Sequence, residues 1–177
     1  MPLRVAILVA TGLVWGAVSL QAVASPASTS PASALDWLAI VGFSLAFWLT
    51  GAGLLVLRDS VEPGLNVNVT IVLVAIACVV AGITNLLENG FGVGAVAAVF
   101  AVSALVVWLG LFAIGAMIAI SRDRSLAFVP LLTAIGFALF EIGGGVLTMA
   151  AWVAFARIVV RRAHRVTTTP PEASPSV

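Results

Sequence analysis

The sequence predicts an all-α fold, a polytopic membrane bundle of six transmembrane helices paired as three hairpins. Three observations carry this. The chain of 177 residues is 62% hydrophobic and only 8% charged, with a mean hydropathy of +1.23. Soluble domains average about 45–50% apolar and roughly 25% charged residues, so this chain cannot cover a water-facing surface and needs lipid as its main solvent. Next, the apolar residues fall in long blocks separated by short polar turns, as membrane spans do. Finally, all eight basic residues are Arg, and a six-span threading puts every one of them on the same side. Cytoplasmic segments are enriched in such charge.

The first block, residues 3–24, is about 22 residues long, close to the ~20 that cross a hydrocarbon core. It ends in Ala22-Val23-Ala24-Ser25-Pro26, a small-x-small pattern that also suits signal-peptide cleavage. Its apolar core exceeds the roughly 7–15 residues of signal peptides, which favours a first transmembrane helix. Gly12 and Gly16, four residues apart, would let another helix approach closely.

Residues 25–34 are small, uncharged and rich in Pro and Ser, and read as a loop. The second span covers 35–57 and opens with Asp36, an acid at a helix N-terminus, and Trp37, an interfacial aromatic. Arg58-Asp59 and Glu62-Pro63-Gly64 form a charged turn before the third span, 67–87. The fourth, 93–120, ends at Arg122-Asp123-Arg124.

The last block admits two readings. As one helix, residues 126–156 would be about 46 Å long against a core of about 30 Å, requiring a steep tilt. This is the five-helix alternative. As two helices, 126–141 and 146–160, each half is short unless Arg157 snorkels to the interface. Charge decides between them: five spans divide the arginines four to four, and six spans gather all eight on the side of the N-terminus. Both termini are therefore expected in the cytoplasm, with the protein in the cell membrane. Arg157, Arg161, Arg162 and Arg165 form a juxtamembrane basic cluster, which serves at least as an orientation signal. The tail 166–177, rich in Thr, Pro and Ser, is expected to be disordered.

Two turns share a pattern. Residues 86–93, LLENGFGV, and 139–146, LFEIGGGV, both fit Leu-apolar-Glu-x-Gly-x-Gly-Val. Glu88 and Glu141 are the acids that adjoin apolar runs without an Arg neighbour, and intramembrane carboxylates are functional candidates. At hairpin turns their cost falls, and each is expected to cap the next helix, with Gly90 and Gly143 ending the preceding one. The alternative is a paired carboxylate site that takes a proton or cation. Asn85, three residues before Glu88, is expected to make an interhelical hydrogen bond.

The inventory excludes much. With one His and one Cys, a soft-ligand zinc site, two-His haem ligation and an intrachain disulfide are out of reach. Cys78 reads as a small buried hydrophobe, and the five tryptophans as packing or interfacial residues. No paired nucleophile and base or phosphate loop is present. The stretch Asn85-Leu86-Leu87-Glu88-Asn89-Gly90, with the later Gly-Gly turn and Ala151-Trp152, resembles a loose group of uncharacterised bacterial multi-pass membrane proteins. That group often has Asp where Asn89 stands here, and the resemblance implies no activity.

The expected function is a non-enzymatic membrane module: a subunit, a scaffold or a binder of a lipid-like ligand. The alternative is a small transporter or proton-coupled carrier using Glu88 and Glu141. The expected partners are the lipid bilayer and other membrane subunits or a second copy of the chain. No cofactor and no nucleic acid are expected.

Overall fold

The computed structural model describes residues 2–24, 31–61, 64–121 and 123–168. Side chains at 164–168 lie outside the described set. The described residues form helices and no strand: α1 (Pro2–Ala24), α2 (Ala34–Arg58), α3 (Leu65–Asn85), α4 (Ala97–Ala119), α5 (Phe128–Ala138) and α6 (Gly145–Thr168). Four stretches are long and apolar enough to cross a membrane: Pro2–Ala24, Ala34–Arg58, Leu65–Gly90 and Gly94–Ala119.

Each helix packs on the next in the chain, and α6 returns to α1 in the most extensive contact of all, closing a ring. Small residues make that closure possible. A Cβ on Gly12 would sit 2.9 Å from the Met149 carbonyl oxygen, and one on Gly16 would sit 2.9 Å from the Met149 sulfur. The close-approach reading of these two glycines therefore finds its partner in α6. The ring is filled by side chains with no exposed surface, among them Leu8, Phe47, Leu54, Leu57, Ile114, Trp152 and Phe155. Cys78 is buried among them.

Polar side chains stitch neighbouring helices. The indole N–H of Trp15 donates to Thr50 Oγ1 (2.8 Å), linking α1 to α2. That of Trp48 donates to the Val79 carbonyl (3.3 Å), linking α2 to α3. That of Trp108 donates to the Ala134 carbonyl (3.1 Å), linking α4 to α5. The N-terminus of α2 carries a capping box: Ser33 Oγ accepts from the Asp36 backbone N–H (3.2 Å), and Asp36 Oδ2 accepts from the Ser33 N–H (2.9 Å). The pair thus satisfies the Asp36 N–H, one of the donors that a helix start leaves open, and the N–H of the cap residue itself.

One end of the ring is basic. Arg4 pairs with Asp59 (2.9 Å), Arg58 Nε donates to Asn68 Oδ1 (2.6 Å), and Arg162 reaches both Asp123 (3.5 Å) and the Ser60 carbonyl (3.0 Å). Arg124, Arg157 and Arg161 belong to the same end, and Asp36, Glu88 and Glu141 to the opposite one. Arg122, and the side chain of Arg165, lie outside the described residues.

The last block differs in detail from both of its sequence readings. The last block is not one long tilted helix: the chain enters the left-handed region at Gly143 (φ +92°), and α6 packs back along α5. Nor is 126–141 continuous. A 3-10 turn (Arg124–Leu126) leads into the eleven-residue α5, and another (Phe140–Ile142) follows it. Helix α6 runs to Thr168, so residues 166–168 are helical rather than part of a tail; 169–177 lie outside the described residues.

Candidate functional site

The polar cluster nearest the end of α3 grows from a local irregularity. At Leu86 the α-helix widens into a π turn, Leu86–Gly90, a geometry that often marks functional positions. Asn85 sits just before it, 3% exposed, and its amide nitrogen donates to the Ile40 carbonyl (3.1 Å) and to Ser44 Oγ (2.9 Å) on α2. Asn85 Oδ1 then accepts from Asn89 Nδ2 (3.0 Å), so the π turn is tied to α2 through one buried amide. Trp37 of α2 closes over the turn, edge-on to Phe91 at 5.6 Å between ring centroids.

Glu88 lies in this turn. Its Oε2 atom is buried without a hydrogen-bond partner among the described residues. A carboxylate oxygen left without a partner in this way is expensive, and neither of the following helical segments uses it: the N–H groups of Val93 and Val96, which open them, donate to the Leu87 and Val93 carbonyls instead. The expected capping role of Glu88 is therefore not the one it has here.

Glu141 is placed differently. It is exposed, on the 3-10 turn Phe140–Ile142, which packs on α1 and, through Phe140, against Phe43 of α2 (5.1 Å between ring centroids). Its carboxylate does not cap α6 either. That task falls to Ser19 of α1, whose hydroxyl accepts from the Gly145 N–H (3.0 Å) and donates to the Phe140 carbonyl (2.9 Å). Ser19 is fully buried and spans the turn across more than a hundred residues of sequence. No sequence signal marks it, since a lone Ser in an apolar helix is unremarked until its partner is known.

The two turns are alike in sequence and different in structure. Gly143 takes the left-handed conformation in the second, whereas in the first it is Gly92 (φ +69°), two positions further along the shared pattern. Gly90, the counterpart of Gly143, ends the π turn, where a Cβ would meet the Trp37 ring at 3.0 Å. The first turn packs mainly on α2 and the second mainly on α1, and no hydrogen bond or ion pair joins Glu88 and Glu141 among the described residues. Of the basic cluster, Arg162 is engaged as above, whereas Arg157 and Arg161 line a groove between α1 and α6.

An aromatic cluster fills the ring just beneath the second turn. Trp15 is its hub, edge-on to Phe43 (5.7 Å), Phe47, Phe137 and Phe140 (5.8 Å each). Further along α6, Thr148 Oγ1 and Trp152 Nε1 are buried without hydrogen-bond partners among the described residues. No group of three or more His, Cys, Asp or Glu side chains able to hold a metal occurs among the described residues.

Comparison with known proteins gives no match: no family model fits the chain, and no curated protein or solved structure is similar to it. The class that fold and composition define is an apolar helical bundle compatible with a membrane protein.

Proposed function

We propose that the chain is a six-span membrane module without catalytic activity, acting as a subunit, a scaffold or a binder of a lipid-like ligand. The observation that carries this reading is the filled interior. Trp15 and its phenylalanine partners, with Leu54, Leu57 and Trp152, occupy the centre of the ring, while the two carboxylates lie on separate turns. Six spans follow from the basic end, which the positive-inside preference puts in the cytoplasm together with both termini. The short α5 supports the count. With its flanking 3-10 turns, which rise faster per residue, 124–142 covers roughly 30 Å, the thickness of a hydrocarbon core.

A reporter fused after Val177 tests the threading. It should be active on the cytoplasmic side, and external activity would remove the sixth span.

The unpartnered Glu88 Oε2 favours a second reading, a proton-coupled carrier. Substitution separates the two. In the module, Glu88→Gln and Glu141→Gln fold and melt within about 1 kcal/mol of the parent. Glu88→Gln lies at or above it, because a neutral amide is cheaper to bury than a carboxylate and no partner is lost. Proteoliposome flux driven by a pH gradient, present in the parent and abolished in both variants, would overturn the module in favour of the carrier.

A further inference from the structure

We propose that the groove between the start of α1 and the end of α6 binds one anionic phospholipid, with its phosphate on Arg157 and Arg161. The inference deepens the module reading above and rests on it. The groove has a volume of about 300 Å³, and its wall is apolar except for those two side chains: Val5 and Val9 from α1, Val153, Ala156 and Val160 from α6. An acyl chain fits such a wall, and a phosphate fits what stands at its mouth.

Charge pairing sets these two arginines apart. At the same end, Arg4, Arg58 and Arg162 are each held by a protein acceptor. Arg157 and Arg161 are exposed and have no hydrogen bond or ion pair among the described residues. They stand four residues apart on one helix, a spacing at which like charges repel. An orientation signal needs only their number. Their convergence on an apolar groove instead completes a two-part site, in which a guanidinium pair takes a phosphate through several N–H donors while the stems lie along the groove. Among the described residues this end carries Asp59 and Asp123 against Arg4, Arg58, Arg124, Arg157, Arg161 and Arg162, so an anion is also favoured by the local charge balance.

The test is native mass spectrometry of the full chain in mild detergent, with phosphatidylglycerol and phosphatidylcholine of the same acyl chains at equal concentration. The parent should retain one phosphatidylglycerol with about a tenfold preference, falling to about twofold or less in the Arg157→Gln/Arg161→Gln double variant. Arg124→Gln, which removes a charge of the same end outside the groove, should keep the preference. Val9→Trp, which fills the groove and leaves both arginines, should lose the lipid, and it carries the test if the double variant does not fold. Equal retention in the parent and the double variant, an equal loss in Arg124→Gln, or full retention in Val9→Trp would each overturn the site. The readout does not depend on transport: flux with selective lipid retention would sink the module reading alone, and inert vesicles without selectivity would sink the lipid site alone.

Discussion

Trp15→Ala is expected to lower the stability of the bundle by about 2–4 kcal/mol, read as a lower melting temperature by circular dichroism in detergent. The substitution removes the hub of the aromatic cluster and its bond to Thr50. In water, Trp→Ala costs about 3–5 kcal/mol, part of it a transfer term. Lipid is as apolar as the core, so that term shrinks and the cavity and lost contacts remain. Trp15→Phe keeps an edge-on ring and forfeits the hydrogen bond, for about 1 kcal/mol; Thr50 retains its own bond to the Ala46 carbonyl. If Trp15→Ala melted with the parent, the cluster would not be the packed centre described above.

Gly145→Val should be at least as damaging, by about 3 kcal/mol or more. A Cβ there would collide with both the Trp15 carbonyl oxygen and Ser19 Cβ. The obstacle is backbone, which cannot rotate away, so α6 must leave α1 and surrender the Ser19 bridge. Gly94→Ala is the control, because no atom lies within 4 Å of its Cβ position and its φ is ordinary. Comparable losses for Gly145→Val and Gly94→Ala would mean that the turn, and not the α1–α6 contact, sets the response.

Much of this fold was written in hydropathy and charge. The apolar blocks locate the first four helices to within a few residues, and the grouping of arginines selects a turn in the last block at Gly143. The reason is physical: bilayer thickness and charge asymmetry act on composition, which is visible residue by residue. The candidate site was less legible. Asn85 could be assigned an interhelical bond because a buried amide needs one, but Ile40 and Ser44 as its partners depend on helix rotation. The repeated Glu-Gly pattern suggested two equivalent turns, yet a pattern specifies a turn only through the contacts around it. Trp37 stands over Gly90, and Ser19 reaches Gly145, so the same letters settle into a π turn in one place and a 3-10 turn in the other. Gly12 and Gly16 announced a close neighbour without saying which helix it would be.

The seam between α1 and α6 has a consequence for biosynthesis. Helix α1 is completed by a helix translated well after it, since the partners of Ser19 lie 121 and 126 residues downstream. Until α6 is made, the Ser19 hydroxyl and the faces of Gly12 and Gly16 wait without their final neighbour, and on the proposed threading they do so while α2 to α5 enter the bilayer. Closure of the ring therefore waits for α6, and a chain stalled before it carries an open first helix whose close-packing face has no neighbour.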